Sequence, residues 1–155
     1  MKKILLLTCL SIALCASKGP ELPIDLLYKR WIITKIDPTA MPTWATMSQE
    51  GKNANLRINN AMIERGSFYA FEKGGKADIL VYNLFHKASF CNVATTYTYS
   101  KQNQYITLQA GEKVDENGDT FRVPDMAYKI EKLTRKELVL VVVQNNYKLY
   151  FKVAK

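Results

Sequence analysis

The most regular stretch of the chain is its end, where Tyr147, Leu149, Phe151 and Val153 alternate with Lys148, Tyr150 and Lys152. A repeat of two sends successive side chains to opposite faces of an extended segment, so this pattern predicts a strand with one face buried. Similar short runs predict strands at Arg30 to Ile36, Ser67 to Phe71, Ala77 to Tyr82, Thr95 to Tyr99, Tyr105 to Leu108, Ala127 to Leu133 and Glu137 to Val143. A further one is expected around Leu56 and Ile58, which alternate with Asn55, Arg57 and Asn59, while Phe85 to Val93 has no clear period. Turn chemistry separates the runs: Lys73-Gly74-Gly75-Lys76 suits a hairpin, and Gln144-Asn145-Asn146 suits a tight turn. Eight or nine short strands with brief connections predict an antiparallel meander, closed as a barrel or folded as a sandwich. The fold expected is mostly β, a single antiparallel up-and-down barrel of about eight strands, with one helical turn at Asp25 to Tyr28.

Two stretches break the rhythm. Pro38 to Asn55 is irregular and polar, with two prolines and Gly51, and carries Met41, Trp44 and Met47 at a spacing of three, which predicts a short helix or flap. Long connections of this kind in compact domains often carry function. The other is the start of the chain: Lys2 and Lys3, an apolar run from Ile4 to Leu14, then small residues at Ala16 and Ser17. That run is too short to cross a bilayer and suits an export leader. The expected organisation is a signal peptide over 1–16, a tether over 17–24 and one β domain over 25–155, in the periplasm, at the outer membrane, or secreted.

Ile12-Ala13-Leu14-Cys15 resembles the lipobox of bacterial lipoproteins, with Leu14 where that family favours a smaller residue. Acylation of Cys15 would anchor the protein by lipid alone, whereas cleavage after Ala16 would release it, and the sequence leaves both open. Cys9 leaves with the leader, so Cys91 is the one certain cysteine of the exported form and no internal disulfide is expected. The formal charge of the chain is +8, and loss of Lys2 and Lys3 lowers it by two. The cations are scattered along the sequence, and export argues against a nucleic-acid partner.

The order of features also resembles the small lipocalin-like domains found in lipoproteins of the Bacteroidetes. The likeness rests on Leu26-Leu27-Tyr28-Lys29-Arg30-Trp31-Ile32-Ile33, on Ser67-Phe68-Tyr69-Ala70-Phe71 followed by Gly74-Gly75-Lys76, and on Tyr128 to Leu140 closed by Tyr147 to Phe151. It covers most of the expected domain. Lys29 stands where lipocalins place a glycine before the tryptophan, and only lysines are available where an arginine would stack on it. The resemblance implies a barrel that holds a small hydrophobic ligand.

Candidate chemistry is sparse. His86 is the only histidine, too few for a zinc site or a histidine-based nucleophile. Asp115, Asn117 and Asp119 imitate the start of a calcium loop, but Thr120 and Met126 occupy the positions that need glycine and glutamate. No catalytic set and no cofactor are expected. The aromatic residues Trp31, Phe71, Tyr82, Phe90, Tyr97, Tyr99 and Phe151 are the candidates to line an interior, with Trp44 as part of a lid. A barrel of eight strands is just wide enough to be filled by side chains or to hold one small ligand. The two functional readings are therefore an exported carrier of a small hydrophobic molecule and an envelope interaction module with a filled core.

Overall fold

The computed structural model describes residues 22–83, 89–109, 111–114, 118, 120–123 and 125–155, without the side chains of 83, 89–92, 112–114 and 120–123. Ile24–Leu27 form a 3-10 turn, and the strands are β1 (Arg30–Asp37), β2 (Phe68–Phe71), β3 (Lys76–Asn83), β4 (Ser89–Ser100), β5 (Tyr105–Leu108), β6 (Gly111–Val114), β7 (Thr120–Val123), β8 (Met126–Leu133), β9 (Glu137–Val142) and β10 (Lys148–Val153). Eight of them close an antiparallel barrel in the order β1-β10-β9-β8-β5-β4-β3-β2, and β6 and β7 make a separate hairpin. Apart from that hairpin, each barrel strand pairs with the next along the chain, as the alternating runs predict.

Register explains where the alternation breaks. In β1 the pairing shifts between Ile33 and Lys35, and in β8 between Ile130 and Lys132. Each bulge adds a residue that the partner strand does not match. Ile33 and Ile36 therefore both reach the core, as do Ile130 and Leu133, at a spacing of three instead of two.

The connection from β1 to β2 overturns one expectation. The stretch around Leu56 and Ile58 is not a strand but part of helix α1 (Gln49–Glu64), and the preceding residues are a series of turns. Ser48 starts the helix, its hydroxyl accepting the Gly51 N–H at 3.1 Å. Leu56 is one of the more exposed apolar side chains, while Asn59 is buried, so α1 does not follow a two-residue pattern. Met62 and Ile63 pack on the core, and the helix lies against β1 and β3. The hairpin of β6 and β7 flanks the polar loop at 115–119, a pair of strands the sequence pattern does not announce. Asp115, Asn117 and Asp119 lie outside the described residues.

The two ends of the barrel are closed differently. At one end the chain enters through the 3-10 turn, and Leu27 and Trp31 are both fully buried. The Trp31 indole N–H donates to the Leu27 carbonyl at 2.9 Å, tying turn and strand together. Lys29 occupies the unexpected position before the tryptophan, and its ammonium lies 5.9 Å from the Trp31 ring while donating to the Arg135 carbonyl at 3.2 Å. The turns between β2 and β3, β4 and β5, and β8 and β9 lie at this end, all short. Gly75 in the first of them has φ +86°, and a Cβ there would sit 2.9 Å from the Tyr97 carbonyl, so only glycine fits. At the opposite end, here called the mouth, lie the long connection carrying α1, the β6–β7 hairpin and the turn from β9 to β10.

Candidate ligand site in the barrel interior and at its mouth

Four of the predicted aromatic residues do meet inside the barrel. Trp31, Phe71, Tyr97 and Phe151 belong to one buried cluster, and Tyr99 packs on its margin. Phe71 and Tyr97 meet edge to face with centroids 5.2 Å apart, a favoured aromatic geometry. The Tyr97 hydroxyl donates to the Glu72 carbonyl at 3.0 Å, fastening it to the closed end. Desolvation pushes the Tyr97 pKa up to about 12.

The other candidates are placed elsewhere. Tyr82 is buried but on the outer face of β3, opposite in parity to Ala77 and Ile79, with the Arg65 guanidinium 5.3 Å from its ring. Its backbone N–H donates to the Ser67 hydroxyl at 3.0 Å. Phe90 pairs with Tyr82 in register, and its side chain lies outside the described residues. Trp44 is half-buried in the turns before α1, with the Lys52 ammonium 5.9 Å from its ring, at the mouth and away from the buried cluster. Cys15 and His86 lie outside the described residues.

The centre of the interior belongs to two residues not singled out from the sequence. Tyr69 on β2 and Tyr128 on β8 sit on strands four places apart in either direction around the closed ring. Their hydroxyls nonetheless lie 3.1 Å apart. The barrel is thus spanned by a hydrogen bond across its diameter. Phe151 packs against Tyr69 at a centroid distance of 5.2 Å, and Tyr128 meets Tyr69 edge on at 5.9 Å. At this level the interior is filled by rings. The parity signal was present, since Tyr69 shares a face with Phe71 and Tyr128 with Ile130.

Two hydroxyls joined by one hydrogen bond use one of their two protons. The second O–H has no acceptor among the described residues. Burial raises the pKa of both phenols, that of Tyr128 well above its usual value, so each remains a neutral donor. The inward positions around them carry apolar or aromatic side chains and no charge among the described residues.

A second polar group lies under α1. The Tyr147 hydroxyl, just before β10, donates to the Asn59 side-chain oxygen Oδ1, and the Asn55 Oδ1 lies 3.3 Å from it. The Asn59 amide in turn donates to Asn55 at 3.0 Å. Burial pushes Tyr147 up to about 12. Nearby, β1 ends at Asp37, whose carboxylate accepts the Thr39 hydroxyl at 2.6 Å and the Thr39 N–H at 3.0 Å. Those two bonds hold it below the usual carboxylate range. The roof is therefore held by a polar group as well as by the packing of Met62 and Ile63, whereas the closed end is sealed around the fully buried Leu27 and Trp31.

Among the described residues no group of three or more His, Cys, Asp or Glu side chains could hold a metal, and no helix is long and apolar enough to cross a membrane. No protein-family model matches the chain, and neither curated proteins nor solved structures give a significant match.

Proposed function

We propose that this chain is an exported, lipocalin-like binding module that takes a small, largely apolar ligand at the mouth of its barrel, beneath α1. The observation that carries the reading is the unequal closure of the two ends. One end is sealed by Leu27, Trp31 and short turns. The other is roofed by a helix that rests on Met62 and Ile63 and on the polar group of Asn55, Asn59 and Tyr147. Polar contacts to a roof can be exchanged for water when it lifts, whereas apolar packing cannot. Barrel mouths are common ligand sites. The Tyr69–Tyr128 pair would form the floor, and its spare O–H favours a neutral ligand with one acceptor atom over a carboxylate, because no described inward position offers a cation.

The leader, with cleavage at Cys15 or after Ala16, belongs to the same proposal. The mass of the processed N-terminus distinguishes an acylated Cys15 from a free Ser17. Binding is tested by titrating N-phenyl-1-naphthylamine, a neutral fluorescent probe, into the protein and into Met62→Trp, which adds bulk under α1. Saturable fluorescence with the native chain and its loss in the variant is the expected result. A flat titration would sink the reading. It would then favour the second one, an envelope interaction module with a filled core, which draws its support from the rings that meet across the barrel.

A further inference from the structure

The closed end of the barrel gathers positive charge that the sequence scatters. Arg135 and Lys136 form the tip of the β8–β9 turn, both exposed. This turn is rigidly made: the Thr134 hydroxyl accepts the Lys136 and Glu137 N–H groups at 3.3 and 3.0 Å, and the Thr134 N–H donates to the Glu137 carbonyl at 2.8 Å. Lys29 is tied to its tip through the Arg135 carbonyl. Lys132 and Lys152 flank the base, and Lys155 follows β10 at the same end. The carboxylate inside this group is Glu137, which Lys132 engages directly and which Lys132 and Lys152 together hold below its usual range. Six cations thus share this end with Glu137, which Lys132 already engages, and with Asp25 and Glu72.

The same end receives the chain from its N-terminal side, through Leu22, Pro23 and the 3-10 turn. An apolar leader or an acyl-Cys15 would join the barrel beside the basic group. From this coincidence we infer that the closed end docks on the anionic headgroups of a membrane, with the mouth turned away toward the aqueous phase. Basic side chains near an anionic bilayer attract it additively and over about a Debye length. A turn held by three hydrogen bonds presents its two cations without further ordering. The orientation rests on the export reading above, while the charge-dependent contact does not.

The test is sedimentation of the full chain, purified as its bacterial host leaves it, with vesicles of phosphatidylcholine alone or with one-third phosphatidylglycerol. The difference between the two isolates the electrostatic part, whatever the N-terminus adds. Arg135→Gln with Lys136→Gln should lower that difference by about thirty-fold, and the native difference should fall steeply with salt. Lys52→Glu with Arg57→Glu, on the mouth-side helix, should leave it within about twofold. Equal loss from both pairs, or no difference between vesicle types for the native chain, would overturn the assignment. Binding of a short DNA duplex as tightly as the anionic vesicles would do so too, by making the patch a general polyanion site. Probe binding at the mouth is read separately by the naphthylamine titration, so either proposal can fail without the other.

Discussion

The closed end and the mouth each contain one of the two tryptophans, and they use them in opposite ways. Trp31 has no exposed surface and fastens the entering turn through its indole N–H. Trp44 is half-buried in a series of turns, with a lysine ammonium near its ring. The same contrast holds for the polar groups. Those at the closed end complete an apolar core, whereas Asn55, Asn59 and Tyr147 share the support of the roof with Met62 and Ile63. One end of the molecule is built to stay shut, and the other is held in part by bonds that water can replace.

Substitution of the two tryptophans is the most severe way to break this comparison. Trp31→Ala should cost about 3–5 kcal/mol in denaturant unfolding, and Trp44→Ala about 1 kcal/mol or less. Equal losses would mean that the roof is part of the core. The tyrosine bridge gives a smaller effect with a distinctive form. Tyr128→Phe should cost about 1–3 kcal/mol, because it leaves the buried Tyr69 hydroxyl with no partner, while the double change of Tyr69 and Tyr128 to Phe should recover most of that loss. An additive double variant would show that the two hydroxyls do not depend on one another. Ser48→Ala removes the cap of α1 and should cost about 1 kcal/mol. Its sharper readout is hydrogen exchange, which should quicken in α1 while the amides of β9 and β10 keep their protection.

Alkaline titration probes both regions at once. Burial raises Tyr97 and Tyr147 to about 12 and also raises Tyr69 and Tyr128. A folded pKa above the unfolded value of about 10 means that folding favours the neutral phenol. The stabilisation is complete below pH 10 and is lost as pH rises toward 12. Phenolate absorbance from these four tyrosines should therefore appear only well above pH 10, together with unfolding. A single step near pH 10 would contradict the buried environments.

The barrel could be read from the sequence because its signal is local: Tyr147 to Val153 shows the strand period within seven residues. Helix α1 could not, because the face it buries carries Asn55 and Asn59 where a helical pattern would place apolar residues. Leu56 and Ile58 happened to imitate a strand instead. The site was partly legible for a related reason. Trp31, Phe71, Tyr97 and Phe151 follow from parity within single strands, but the meeting of Tyr69 with Tyr128 depends on ring closure, which brings together strands distant in sequence. Tyr82 was misplaced because its aromatic character suggested the interior, while its parity with Leu80 puts it outside.

Ring closure has a consequence for how the molecule comes to be made. The seam that shuts the barrel joins β1 to β10, with Trp31 opposite Val153, the last residue of the last strand. Until β10 is available, β1 lacks one of its two neighbours and β9 one of its own, and both present open edges. Contacts so far apart along the chain are slow to form. The nascent chain therefore spends its synthesis as an unclosed sheet, exposed to mispairing with other copies. Whatever meets it during that interval meets a chain that cannot yet close its barrel.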